Sequence, residues 1–193
     1  TDLEAHLVER AVRRAASEGV AANTRFLVVE PGPLTFDDYQ FDVIVISGAL
    51  TQVEDKLAMY RECLRVLKPG GVLSCYDWMK PPGPFSADML YWFELEGLTY
   101  AMRTPDEHLS LLAEAGFEHA RCDDRSQWYC KRSREEYAAM VGPLHSDLRR
   151  LLGDDTAQHF IEDWRALTAV CEKGDLLTVY TRARKPEQAG ESR

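Results

Sequence analysis

The sequence has no uninterrupted apolar run of the roughly 20 residues that a membrane-spanning helix needs. Its five cysteines are widely spaced, and none of them forms the Cys-x-x-Cys or Cys/His pattern typical of a zinc site. We therefore expect no bound metal and no membrane partner. Reduced, mostly buried thiols are expected instead, in a cytoplasmic protein.

Basic residues are fewer than acidic residues in this sequence. The chain carries 23 Lys and Arg against 32 Asp and Glu, a net charge of −9, and no basic stripe. This pattern argues against nucleic acid as a partner and leaves a small molecule as the expected substrate. With 193 residues, the chain is long enough for one domain with a sizeable core, which we predict over 1–185, followed by a polar tail at 186–193. The oligomeric state is not predicted.

The most informative stretch is Phe41–Trp78, which has the pattern of a strand, a helix and a second strand. Val43–Ile46 is a β-branched run of the kind found in strands that are buried on both faces. Apolar residues then recur at helical spacing up to Leu67, and Pro69-Gly70-Gly71 ends the helix. Val72–Tyr76 reads as the second strand, expected to be parallel to the first through a right-handed crossover.

A parallel pair of strands also predicts where a ligand binds. In open α/β sheets, ligands lie beyond the carboxyl ends of the strands. Ser47–Gln52 follows the first strand and Asp77–Lys80 follows the second. We therefore expect these two segments to form the mouth of a functional site.

At these residues the chain resembles a known family, the class I S-adenosylmethionine-dependent methyltransferases. The segments FDVIVIS, LRVLKPGG and the strand ending YDW carry the resemblance. Farther along, the segments around Gln127-Trp128 and Trp164 are similar to phosphoethanolamine N-methyltransferases and their relatives. The resemblance implies a three-layer, Rossmann-like α/β fold with a mainly parallel sheet and an antiparallel last strand. It also implies S-adenosyl-L-methionine as the cofactor and methyl transfer to a small molecule as the activity.

One feature of that family is missing. No two of the twelve glycines are separated by a single residue, so the chain has no Gly-x-Gly turn of the type that follows the family's first strand. The first strand and the glycine-rich loop are therefore expected to be absent from these residues. We expect the chain to be a C-terminal portion of the fold; the alternative is a strand exchanged with a partner molecule.

The resemblance assigns candidate cofactor-binding residues. Asp2 matches the acidic residue that holds the ribose hydroxyls, and Glu30 matches the residue near the adenine amino group. Ser47 and Gly48 lie where the methionine end is expected. From the residues alone, Asp2 could instead cap a helix and Glu30 could be a solvated turn residue.

Candidate catalytic residues are Gln52, Asp77 and Glu96, and the segment of about 79–103 is expected to be a lid over the site. Where the family has Asp and His in the loop after its fourth strand, this chain has Gly48 and Gln52. A glutamine has no useful pKa for general-base catalysis, so Asp77 or a glutamate is expected to accept the proton.

Candidate substrate-binding residues are Trp78, Tyr91, Trp92 and Glu172. Glu96 and Glu172 occupy positions where the family binds a phosphate with Arg and Lys. Carboxylates and aromatic rings favour a cation, which predicts an amine acceptor without a phosphate. Three alternatives stay open: an O-methyltransferase, a non-catalytic binding subunit, and surface glutamates with no ligand. The aromatic helix could equally be a core-packing helix.

Further elements follow from helical or alternating spacing and from cap signals such as Thr104 with Glu107 and Ser133 with Glu136. The histidines are expected to be solvated or capping residues. The predicted helices are 7–16, 85–96, 104–115, 134–141, 144–152 and 156–173, and the predicted further strands are 25–29, 117–122 and 176–184.

Overall fold

The computed structural model describes residues 1–30 and 32–187. Pro31, part of a predicted turn, and residues 188–193 of the predicted polar tail lie outside the described residues. The chain divides into two compact units, Thr1–Phe36 and Asp37–Arg193. We call the first the N-terminal unit and the second the sheet unit, and each is described by itself.

The N-terminal unit contains one long helix, α1, over Ala5–Ser17, close to its predicted bounds. Gly19 follows with a φ of 73°, a conformation that suits glycine at a helix end. The strand predicted over 25–29 is wrong, since only one parallel bridge joins Asp2 to Val28. Val28 is exposed, because within this unit a single bridge is too short to bury both faces of the segment.

The sheet unit carries the remaining elements. Its strands are β1 (Phe41–Ser47), β2 (Leu67–Met79), β3 (Glu118–Asp124) and β4 (Leu177–Arg184). Its helices are α2 (Lys56–Val66), α3 (Ala87–Glu96), α4 (Pro105–Ala115), α5 (Ser126–Val141), α6 (His145–Leu152) and α7 (Asp154–Lys173).

The four strands form one mixed sheet in the order β1-β2-β4-β3. β1 pairs with β2 in parallel, whereas β4 is antiparallel to both β2 and β3. The first three strands therefore run in one direction and the last strand runs against them. This confirms the predicted α/β fold with an antiparallel last strand, although β4 lies inside the sheet rather than at its edge.

The prediction that Val43–Ile46 is buried on both faces is wrong. β1 is an edge strand of the described sheet, and Val43 and Val45 are 55% and 75% exposed. Ile44 and Ile46 point to the other face and pack against the core. β2, in contrast, has partner strands on both sides and is the better buried of the two, with Leu73 and Cys75 fully enclosed.

Two apolar clusters hold the sheet unit together. One packs α2 and α4 against a face of the sheet, with Tyr60, Leu73 and Leu112 at its centre. The other joins α3 to α7 and includes Trp92 and Val170, both completely buried. The aromatic spacing of α3 therefore does serve core packing at Trp92; the lid role of 79–103 stays a prediction.

Local cap signals had mixed outcomes. Thr104 and Glu107 form the predicted capping box at the start of α4. Ser133 does not begin a helix, because it lies inside α5 and its hydroxyl donates to the Cys130 carbonyl at 3.0 Å. A serine can satisfy its hydroxyl in this way without ending the helix, which is why the sequence signal misleads here. Among the described residues, no helix is long and apolar enough to cross a membrane.

Candidate active site at the ends of β1 and β2

The chain turns sharply where β1 ends. Gly48 has a φ of 68°, and its N–H donates to the Tyr76 carbonyl at 2.8 Å, which ties the turn to the end of β2. The space that a side chain at Gly48 would occupy is open. A 3₁₀ turn, Leu50–Gln52, follows and places Gln52 at the surface while Leu50 and Thr51 are buried.

Asp77 lies directly beneath this turn and is only 4% exposed. Its Oδ1 accepts hydrogen bonds from the Thr51 hydroxyl and from the Trp78 N–H, the latter at 3.0 Å. Burial raises the pKa of the Asp77 carboxyl, and these donors together with the nearby Lys56 oppose that rise. The structure thus joins Asp77 to the buried residue before Gln52, while Gln52 itself is exposed.

Lys56 is a buried residue of this candidate site that sequence reasoning missed. It is the first residue of α2, is 4% exposed, and donates from Nζ to the carbonyls of Leu50 and Val53, the latter at 2.9 Å. Burial lowers its pKa to about 8, against the attraction of Asp77. Its position off the apolar face of the helix indicated a solvated side chain, and helical spacing gives no sign of the buried carbonyls that it meets.

A second missed group is the buried pair of Tyr60 on α2 and His108 on α4. The Tyr60 Oη and the His108 Nδ1 are joined by a hydrogen bond of 2.7 Å. Burial, with a smaller contribution from the Lys56 charge, lowers the pKa of His108 to about 4. The expectation that the histidines are solvated or capping is therefore wrong for His108. Its spacing of four and seven residues from the buried Leu112 and Ala115 is the signal that could have found it.

Aromatic rings surround Trp78 at the carboxyl end of β2. Its ring centroid lies 5.2 Å from that of Trp92, 6.3 Å from Tyr100 and 6.0 Å from Tyr129. Trp92 and Tyr100 are stacked, with centroids 5.4 Å apart. We call Trp78, Trp92, Tyr100 and Tyr129 the aromatic cluster; the first two were predicted and the two tyrosines were missed.

Two carboxyl groups lie beside this cluster. Glu96, at the end of α3, interacts with Asp163 of α7, which is 6% exposed. Burial and the proximity of the partner raise the pKa of Glu96, and burial raises the pKa of Asp163. The indole N–H of Trp92 and the side chain of His159 lie near both carboxyls and act to lower the pKa of each. Two adjacent carboxyls of this kind favour sharing a proton or neutralising a cation.

Two predicted substrate residues are engaged at the surface instead. The Tyr91 hydroxyl donates to Glu162 at 2.7 Å, on the exposed side of α3. Glu172 pairs with Arg134 of α5, and both side chains are about half exposed. The charge of Glu172 is therefore compensated by Arg134. The carboxyl group that interacts with Glu96 is that of Asp163.

The predicted cofactor carboxylates belong to the N-terminal unit. Asp2 is exposed, and its Oδ1 accepts the Glu4 N–H at 2.9 Å just before α1 begins. The helix-cap alternative is thus partly realised, although Glu4 is the residue at the cap position itself. Glu30 is exposed. Ser47 and Gly48, which belong to the sheet unit, are exposed as well.

The element order and the mixed sheet form a Rossmann-like α/β fold of the kind found in solved methyltransferase structures. Residues 1–75 match the family described as "Methyltransferase domain". This partial match and the relatives described below support a class I S-adenosylmethionine-dependent methyltransferase, with S-adenosyl-L-methionine as the cofactor.

Similar proteins include enzymes with different acceptors. The chain is 28% identical over 165 residues to a phosphoethanolamine N-methyltransferase of Triticum aestivum, covering 86% of this chain and 32% of that protein. It is 29% identical over 182 residues to the 27-O-demethylrifamycin SV methyltransferase of Amycolatopsis mediterranei, covering 93% and 65%. The chain spans between 25% and 34% of the length of the phosphoethanolamine relatives that it matches.

A solved structure shows the same fold. Phosphoethanolamine N-methyltransferase 2 of Haemonchus contortus, in complex with phosphomonomethylethanolamine and S-adenosylhomocysteine, superimposes with a TM-score of 0.80. The two sequences are 14% identical, and the match covers 96% of this chain and 43% of that one. At this sequence identity, the structural similarity shows a shared fold and nothing about activity.

Proposed function

We propose that the protein transfers a methyl group from S-adenosyl-L-methionine to a small molecule, with an amine nitrogen as the acceptor. The observation that carries the choice of acceptor is the aromatic cluster together with the Glu96–Asp163 pair. Aromatic faces attract an ammonium group by about 0.5–2 kcal/mol each, depending on how far it is desolvated. The negative potential of two adjacent carboxyls also favours an ammonium group.

The residues of each unit fit the cofactor chemically. An exposed carboxylate can accept from two vicinal hydroxyls, and Asp2 would hold the ribose in this way, with Glu30 near the adenine amino group. Gly48 leaves open space where any other residue would place a side chain, so Ser47 and Gly48 would line the methionine end. When bound, the cofactor supplies a methyl group that is already activated for displacement.

The protein must then orient the amine and take its proton. A general base works best when its pKa is near the working pH. Burial and the proximity of Asp163 raise the pKa of Glu96 toward that range, so we assign proton acceptance to Glu96. Asp77 is buried and hydrogen-bonded to Thr51, which gives it a supporting role, and the exposed Gln52 would orient the acceptor.

The same pair disfavours a phosphorylated acceptor. A phosphate needs Arg or Lys, and placing a dianion beside two carboxyls is costly unless a cation compensates them. Several curated relatives are named for phosphoethanolamine, but Glu96 and Asp163 would repel its phosphate. We therefore propose a compact amine without a phosphate.

Two other functions are favoured by specific observations. The rifamycin-derivative methyltransferase matches 93% of the chain, and its name indicates an oxygen acceptor, which supports an O-methyltransferase as the second candidate. A non-catalytic binding subunit would present an apolar surface, and α3 does expose Leu90 and Tyr91.

A cytoplasmic location remains part of the proposal. All five cysteines are free thiols, as is usual for proteins of reducing compartments.

The decisive experiment assays the full protein with S-adenosyl-L-methionine against simple amines, amino acids, phosphoethanolamine and hydroxylated acceptors. Glu96→Gln is compared with Glu94→Gln, an exposed glutamate of the same helix. We expect turnover of an amine that falls by about tenfold or more in Glu96→Gln, since a shared proton or charged hydrogen bond is lost, and is unchanged in Glu94→Gln.

The possible outcomes separate the candidates. Efficient methylation of phosphoethanolamine that is insensitive to Glu96→Gln contradicts the proposal that Glu96 and Asp163 select an amine without a phosphate. Methylation of a hydroxyl acceptor alone establishes the second candidate. Calorimetric binding of the cofactor without turnover of any acceptor indicates a non-catalytic cofactor-binding module, whereas a partner-binding subunit need not bind the cofactor.

A further inference from the structure

The Leu50–Gln52 turn is held from three sides by buried polar groups. Lys56 Nζ binds the Leu50 carbonyl from below, and the Thr51 hydroxyl donates to Asp77 at the end of β2. The Thr51 carbonyl accepts the Ala101 N–H at 2.8 Å, from the segment that links α3 to α4. The turn is thus anchored to α2, to β2 and to the end of the predicted lid.

Two of the anchoring groups, Lys56 and Asp77, are ionisable and affect each other. Lys56 and Asp77 are each 4% exposed and attract each other. A carboxylate in such a place is stable only if it is paired or well hydrogen-bonded. Arg103 is the other charged group that acts on Lys56. The pair in turn acts on its buried neighbours: the charge of Lys56 lowers the pKa of His108, and that of Asp77 raises the pKa of Tyr60, Cys75 and Tyr76.

Lys56 and Asp77 also each hold part of the turn in place through hydrogen bonds. Lys56 spans two carbonyls of the turn, at Leu50 and Val53, which an apolar side chain at that position would leave without a donor. Asp77 fixes the rotamer of Thr51, because its Oδ1 takes the hydroxyl hydrogen. Gln52, the next residue, is the exposed end of this arrangement.

We propose that Lys56, Asp77 and Thr51 form one positioning unit that fixes the Leu50–Gln52 turn and couples it to the segment before α4. In this unit Lys56 holds the Leu50 and Val53 carbonyls and its charge favours the ionised form of Asp77, whose Oδ1 accepts the Thr51 hydroxyl. The unit acts through Gln52 and the lid segment and does not itself contact the reacting atoms. The proposal rests on the proposed function only for its effect on turnover.

The test uses three variants of the full chain and one matched control. Lys56→Met removes the charge and both carbonyl contacts, Thr51→Val removes only the hydroxyl, and Thr51→Ser restores it. Lys185→Met is the control, because Lys185 also donates to backbone carbonyls, of Leu64 and Leu67 at 2.6 and 2.7 Å, but away from Asp77.

Two readouts are independent of activity. The titration of Asp77 is followed by carboxyl ¹³C NMR, with its signal identified by its loss in Asp77→Asn. Its midpoint should rise by about one pH unit or more in Lys56→Met and Thr51→Val, and should stay at the wild-type value in Thr51→Ser and Lys185→Met. Hydrogen exchange of the Ala101 amide, which bonds to Thr51, should become about tenfold faster in the first two variants only.

Turnover gives the third readout. With the amine acceptor, kcat should fall in Lys56→Met and recover in Thr51→Ser relative to Thr51→Val, while calorimetric affinity for the cofactor stays constant. If Lys56→Met fails to fold, the comparison of Thr51→Val with Thr51→Ser still tests the positioning unit. Unchanged Asp77 titration and Ala101 exchange in both Lys56→Met and Thr51→Val would overturn the positioning unit, even in an active enzyme. Altered titration in a chain without any turnover would overturn the proposed function instead.

Discussion

The buried His108 predicts a specific loss of stability in acid. Its pKa lies at about 4, below the ordinary value of 6.5, because burial disfavours the charged ring. The unfolded chain therefore binds a proton at this residue between pH 6.5 and about 4, whereas the folded chain does not. The stability that the neutral ring contributes is complete above pH 6.5 and is lost as the pH falls toward 4.

The size of the effect follows from the same values. A difference between 6.5 and about 4 corresponds to about 3 kcal/mol at 25 °C. This is a substantial share of the 5–15 kcal/mol typical of a domain, and it should be measurable beside the titration of the carboxylates. The relevant variant is His108→Gln, which removes the titrating ring but keeps a polar group near the Tyr60 hydroxyl.

The assay is urea unfolding followed by tryptophan fluorescence at several pH values from 7.5 to 4. The free energy of unfolding of the wild type should fall by about 3 kcal/mol more than that of His108→Gln across this range. His6→Gln is the control, since His6 is exposed on α1, and its curve should parallel the wild type. Parallel curves for wild type and His108→Gln would refute the reasoning.

Three further outcomes are expected. Thr104→Ala removes the capping box of α4 and should lower the free energy of unfolding by about 1 kcal/mol in urea, while Thr104→Ser should keep most of it. Gly71→Ala should lower it by about 1–3 kcal/mol, because the new Cβ would lie 2.8 Å from the Lys68 carbonyl oxygen; a neutral result by thermal unfolding would contradict that clash. Asp2→Ala should weaken cofactor binding by calorimetry roughly tenfold, and unchanged affinity would return Asp2 to a purely capping role.

Two signals that act over a few residues, the Thr104 capping box and the end of α1 before Gly19, predicted local structure correctly, whereas the Ser133 signal misled. The parallel pairing of β1 with β2 was predicted from the longer strand-helix-strand pattern, and the structure has it. Burial across a strand depends on what lies beside it. Val43 and Val45 have the composition of a strand buried on both faces, but their exposure is set by neighbours that periodicity does not specify.

The sequence placed a candidate site at the ends of the strands, and Asp77 and Trp78 were predicted in this way. The buried charged and polar groups of the candidate site could not be predicted from the sequence. Lys56, His108 and Asp163 are single polar residues on helices, and such residues are usually solvated. Each is buried here because a second element approaches it, and only the packing of helices reveals those partners.

Two pairs of charged groups in the sheet unit show how the free-energy cost of burying an ion is met. Burying an ion is expensive, so a buried lysine, aspartate or glutamate persists only where partners compensate it. Lys56 with Asp77 compensates through opposite charge and backbone carbonyls, whereas Glu96 with Asp163 has like charge and a raised pKa at both residues. The first pair is built to stay as it is and therefore suits a positioning role. The second pair favours a shared proton or a cation. The His159 side chain already lies near both carboxyls, and the proposed amine acceptor would bring a positive charge to them.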